Sequence, residues 1–173
     1  MNYRIAKILT IFLMLIGLAK SINADELKTS DSHQFNFFSG VFDINTSSKK
    51  SSDLFGIQHS NEDLFRDTFL GKLSPITGFM MTADSTTYLY TGVQAEYKIG
   101  KLNLIPSFSP GLYSVGDGKD LGSPLEFKSE LQLSIDLLPG TKLGYSQSHL
   151  SNADLGDTNP GADSYMFNFM KSF

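Results

Sequence analysis

The segment HLSNADLGDTNPGAD, His149 to Asp163, gathers an imidazole, a hydroxyl and a carboxylate. Three such groups can act as base, nucleophile and orienter. The imidazole takes the serine proton, and the carboxylate fixes its tautomer and stabilises the imidazolium that forms. His149, Ser151 and Asp163 are therefore the candidate catalytic residues, and Asn152 or nearby main-chain N–H groups would stabilise the oxyanion of a tetrahedral intermediate. Composition alone also suits an ordinary loop, because Ser, Asn, Asp, Gly and Pro are turn formers and His-x-Ser is not a specific motif. The framework that holds these residues decides between the two.

That framework is built from alternating strands. In LEFKSELQLSIDL, Leu125, Phe127, Leu131, Leu133, Ile135 and Leu137 share one face, while Glu126, Lys128, Glu130, Gln132 and Asp136 share the other. HQFNFFSGVFDI, DLFGIQHS, the stretch from Thr68 to Thr82, YLYTGVQAEYKI, LNLIPSFSPGL, TKLGYSQSHL and SYMFNFMKSF bring the set to about eight, an even number in the range of outer-membrane barrels. Hydrophilic links near Asn45–Ser52, Ala83–Thr86, Ser114–Ser123 and Ser151–Ala162 alternate with tight turns at Ile99–Lys101 and Leu138–Gly140. Ser60–Asp67 is the exception, being long for a periplasmic turn. The expected fold is all-β, an eight-stranded antiparallel transmembrane β-barrel of the outer membrane, with a soluble sandwich as the alternative.

Parity then assigns the faces. Leu143, Tyr145, Gln147, His149 and Ser151 are odd, as are Asp163, Tyr165, Phe167, Phe169 and Phe173, so the odd set should face lipid. A hairpin joining the two strands would make His149, Ser151 and Asp163 neighbours at the loop-side rim, where an ester or amide with a membrane-embedded acyl chain could be attacked.

The rest of the composition narrows the classes. Residues 1–24 carry Arg4 and Lys7 ahead of an apolar run from Ile8 to Leu18, the layout of a cleaved signal peptide, leaving residues 25–173 as the barrel domain. Removing Arg4, Lys7 and Lys20 takes the net charge from −4 to −7, which excludes a basic nucleic-acid-binding surface. There is no cysteine, hence no disulfide framework. Three histidines without HExxH-like spacing argue against structural zinc, and no cofactor is expected. His33 and His59 read as rim or lumen residues, and Asp154 and Asp157 as solvated turn acids. Asp117 and Asp120 could hold Lys119 or a divalent ion, or form a flexible turn. An eight-stranded barrel has a filled interior, so Glu126 and Glu130 must pair with Lys128, Lys98 or Arg66, or with hydroxyls such as Tyr90.

The same residues carry a resemblance. HLSNADLGDTNPGAD, a second stretch from Pro106 to Leu131 (PSFSPGLYSVGDGKDLGSPLEFKSEL) and the terminal Phe173 resemble the outer-membrane lipid A 3-O-deacylases, the PagL-type or acyloxyacyl-hydrolase-like family, over roughly Thr68 to Phe173. The resemblance implies a barrel whose triad faces the outer leaflet and hydrolyses the 3-position ester of lipid A. By position His149 matches the base, Ser151 the nucleophile, Asn152 the asparagine proposed at the oxyanion and Asp163 the orienting acid, where the family carries glutamate. The implied partners are lipid A or lipopolysaccharide and outer-membrane lipid, with a homodimer also admitted. Other functions that fit are a non-catalytic structural barrel and a phospholipid acyl hydrolase.

Overall fold

The computed structural model describes residues 32–44, 51–68 and 70–173; the expected signal peptide lies outside them. Ten strands form: β1 (His33–Phe42), β2 (Ser52–Asn61), β3 (Arg66–Thr68), β4 (Gly71–Thr82), β5 (Thr87–Ala95), β6 (Tyr97–Ile99), β7 (Leu102–Ser114), β8 (Leu125–Leu138), β9 (Thr141–Ser151) and β10 (Ala162–Ser172). All pairings are antiparallel, running β2-β1-β10-β9-β8-β7-β5-β4, and β4 pairs back to β2 to close the ring. Among the described residues closure leaves eight staves whose long strands are paired on both sides, the condition for a sheet to survive in hydrocarbon.

The two three-residue strands are continuations of staves. β6 extends β5 in unchanged register along β7, from Gln94↔Ser107 to Tyr97↔Leu104. The gap lies opposite Pro106, and a second gap in the β5–β7 ladder lies opposite Pro110. Proline has no N–H to donate, so the ladder lapses on the side its nitrogen faces. β3 resumes after the irregular stretch 62–65 and makes the tight turn into β4 through Thr68↔Gly71. This corrects the expectation for Ser60–Asp67, which is an interruption within a stave; the real turn comes after it.

Parity holds around the barrel. Phe37, Phe55, Phe79, Leu89, Leu112, Leu131, Leu133, Leu143, Tyr145, Phe167 and Phe169 are all exposed, forming an apolar belt far beyond what a soluble surface carries. Inside, Asn36 Nδ2 donates to Asn168 Oδ1 (2.9 Å), Asn168 Nδ2 to Ser146 Oγ (2.9 Å), and Tyr90 Oη to Gln58 Oε1 (3.1 Å). Lys128, fully buried, pairs with Glu130 at 2.8 Å and lies 4.0 Å from the Tyr90 ring centre. The expected internal pairing is thus met by Glu130 but not by Glu126, whose two buried carboxylate oxygens have no hydrogen-bond partner among the described residues. Lys98 pairs with Asp136 at 2.9 Å, with both side chains exposed at the turn end instead of inside.

Beneath the long loops the interior turns apolar. Phe42, Leu54, Met80, Tyr88, Tyr113, Leu121, Leu150, Ala162 and Met166 form one buried cluster. Leu121 is the telling member, because it comes from the 115–124 loop and pins that loop into the barrel mouth.

Candidate active site

β9 and β10 are joined by the loop 152–161 and pair in register, placing His149 directly opposite Asp163. His149 Nδ1 lies 2.8 Å from Asp163 Oδ1. Aspartate, the shorter acid, therefore reaches the imidazole. The contact leaves Nε2 as the nitrogen available to a serine proton. Both side chains keep solvent-accessible surface, 52% for His149 and 39% for Asp163, on the outward face that also carries the apolar belt.

Ser151 ends β9 two residues after His149, on the same face and half-buried, opposite Phe127 of β8. Alternate residues of a strand stand about 7 Å apart along it, so the hydroxyl and the ring are neighbours. No hydrogen bond joins Ser151 Oγ to the imidazole among the described contacts, and a catalytic bond of this kind commonly tightens only around substrate.

The imidazole is backed by Gly161, which has φ +60°. A Cβ there would stand 2.8 Å from His149 Cε1 and 3.2 Å from Nε2. Glycine is required on both counts, for the left-handed backbone and for the space beside the ring. Asp163 is held from its other side, since its carbonyl accepts the Ile44 N–H at 3.0 Å.

Asn152 departs from its expected place. It is fully buried, and both hydrogens of its amide are donated to main-chain carbonyls, Leu121 O at 2.7 Å and Thr158 O at 2.8 Å. Its main-chain N–H goes to Asn159 Oδ1 at 3.1 Å. With these donors committed, Asn152 has none to offer an oxyanion in this conformation. It acts instead as a buckle between the 115–124 and 152–161 loops. The two backbones touch there: a Cβ on Gly122 would lie 2.2 Å from Thr158 O, and one on Gly156 would lie 2.2 Å from Gly122 O.

The carboxylates considered as alternatives are occupied elsewhere or stand apart. Asp154 accepts from Asn159 Nδ2 at 3.0 Å, which helps fix the residue that holds Asn152, while Asp157 is exposed. Neither Asp117 nor Asp120 pairs with Lys119. Asp120 Oδ1 accepts the Gly122 N–H at 2.8 Å, and Lys119 reaches across the mouth to the buried carboxylate of Asp43 at 2.8 Å. The GDGKD turn is thereby a fastening for the loop, and sequence spacing gave no sign of it because Asp43 lies 76 residues away.

The comparisons agree with the fold. A family model described as lipid A 3-O-deacylase (PagL) matches residues 53–172. Among solved structures, the fold is similar to the crystal structure of the outer membrane enzyme PagL, with TM-score 0.61 and 18% identity over 81% of this chain and 99% of that one. It is also similar to a de novo designed transmembrane β-barrel, with TM-score 0.55 and 9% identity over 86% of this chain and 100% of that one. For Neisserial surface protein A the TM-score is 0.51, with 9% identity over 83% of this chain and 98% of that one. No curated protein matches the sequence at a significant level. A transmembrane barrel of eight staves, with the matched segment running through all but its first strand, establishes the assignment: the chain belongs to the lipid A 3-O-deacylase (PagL) family.

Proposed function

We propose that this protein is a serine-type ester hydrolase that removes the 3-linked acyl chain of lipid A from within the outer leaflet. The observation that carries the reading is the 2.8 Å contact between His149 Nδ1 and Asp163 Oδ1, with Ser151 beside it, on the membrane-facing side of a barrel of this family. Exported through the signal peptide expected at residues 1–24, the barrel stands in the outer membrane with its short turns in the periplasm and its long loops outside. The site then meets the leaflet where lipid A resides.

In the first half-reaction Ser151 Oγ attacks the acyl carbonyl carbon while His149 Nε2 takes the hydroxyl proton. Asp163 keeps the proton on Nδ1 and stabilises the imidazolium. Collapse of the tetrahedral intermediate breaks the ester C–O bond, and the imidazolium returns its proton to the departing sugar oxygen. Water, deprotonated by the same nitrogen, then hydrolyses the acyl-enzyme and frees the fatty acid and the serine. Because Asn152 is committed to the loops, the oxyanion falls to main-chain N–H groups of the 152–161 loop.

Mass spectrometry of lipid A from an outer membrane containing this protein, beside one carrying Ser151→Ala, tests the reading. Loss of one 3-linked hydroxyacyl chain that depends on Ser151 is expected. Unchanged lipid A with the barrel folded would overturn it, and release of fatty acid from glycerophospholipid alone would transfer the same machinery to another ester.

A further inference from the structure

At the opposite rim, near the turns, a second pair of histidines meets across strands. His33 of β1 pairs with Asn61, and Phe35 pairs with His59 of β2, so His33 and His59 are diagonal neighbours on the outward face. His33 Nδ1 lies 2.9 Å from His59 Nε2, and the rings stack with centroids 5.2 Å apart and an interplanar angle of 19°. The scaffold under them is fixed. The main chain of His33 is bonded to that of Phe173, Ser32 O accepts the Glu62 N–H, and Phe35 packs on the His59 ring at 5.0 Å and on Phe173 at 6.1 Å.

Two imidazole nitrogens at this distance can share only one proton, so each presents a lone pair or an N–H to the same small space. We propose that His33 and His59 form a bidentate site for a late first-row divalent metal ion, Cu2+ above all. Imidazole is a preferred ligand of these ions, and copper stands highest in their affinity order. Metal–imidazole bonds of about 2.0 Å meeting at a right angle hold their nitrogens about 2.8 Å apart, the cis arrangement of a tetragonal ion, whereas a tetrahedral angle needs about 3.3 Å. The observed 2.9 Å is an N–H···N hydrogen-bond length, and it brings both nitrogens within chelating reach of one ion. Rotation of each ring out of the hydrogen bond turns both lone pairs onto one ion in place of the shared proton. Among the described residues no group of three metal-ligating side chains converges, so the remaining positions of the ion would be open to water. An ion bound there would tie β1 to β2 at the periplasmic end.

Electron paramagnetic resonance of untagged, folded protein in detergent micelles, titrated with CuCl2, tests this site. Wild type and His149→Ala should each take up one Cu2+ with a two-nitrogen signature, the second variant removing the third histidine of the chain. That signature should be lost in His33→Ala and in His59→Gln, which keeps more of the side-chain volume, with deacylation unaltered in both. Absence of uptake by wild type, or an unchanged two-nitrogen spectrum in either rim variant, would overturn the proposal.

Discussion

The two ends of this barrel are built from the same eight staves and differ in how they are finished. At the turn end the connections are short and the ion pair Lys98–Asp136 is exposed, with side-chain exposures of 65% and 40%. At the loop end Leu121 is buried in the core, Lys119 crosses to a buried Asp43, and Asn152 spans two loops with both of its amide hydrogens. Chemistry of the hydrolase kind needs groups held to fractions of an ångström. The comparison shows where that constraint is supplied: strands place His149 and Asp163, and loops packed backbone to backbone fix the space around them.

The sharpest break in this asymmetry is removal of the nucleophile. Ser151→Ala should abolish deacylation, by about 10⁴-fold or more, while the heat-modifiable gel mobility of the folded barrel is unchanged. A variant that kept its activity would show that the loop end holds no serine chemistry. Next in size is Asn152→Ala, which leaves the buried contact at the Leu121 carbonyl and the part-buried one at the Thr158 carbonyl unmade and should loosen the loops by about 1–3 kcal/mol. Hydrogen exchange would then rise in 115–124 and 152–161 and not in the turns; if exchange stayed slow, the buckle would be dispensable. Gly161→Ala presses a methyl group on the imidazole and should lower kcat about 10- to 100-fold, with KM little moved. Equal turnover would mean that the ring has room to shift. Asp163→Glu should preserve or raise activity, since the resemblance implies a glutamate at that position, and a large loss would show that the site is fitted to aspartate. The smallest effect belongs to the other end: Lys98→Ala should change stability by less than about 1 kcal/mol and leave deacylation as it was.

Much of the loop end was legible in the sequence because it obeys a period of two. The odd parity of Leu143 to Ser151 and of Asp163 to Phe169 puts the three candidate residues on the lipid face, and one hairpin brings His149 to Asp163. The eight strands were readable for the same reason. Asn152 was not, since it lies where the period stops. Its type fits both an oxyanion donor and a loop brace, and only its two carbonyl partners distinguish them. The Lys119–Asp43 fastening and the His33–His59 pair were hidden by distance along the chain, 76 and 26 residues, with no repeating pattern to join them. Conversely, the two stretches that carry the family resemblance, Pro106–Leu131 and His149–Asp163, turn out to touch through Leu121, Gly122, Asn152 and Thr158. Their likeness to one family is a likeness of one packed unit.

Closure of the ring through β1 and β10 has a kinetic consequence. The contact between His149 and Asp163 spans only 14 residues, whereas Gln34 must find Ser172 across 138. Loops of the first kind close quickly and at small entropic cost; those of the second are slow. His149 and Asp163 can therefore meet in a hairpin long before the barrel exists, while the loop carrying Lys119 awaits Asp43 from the first strand's end. An unclosed chain in the periplasm would thus bring His149 to Asp163 before the loop end is fastened around them.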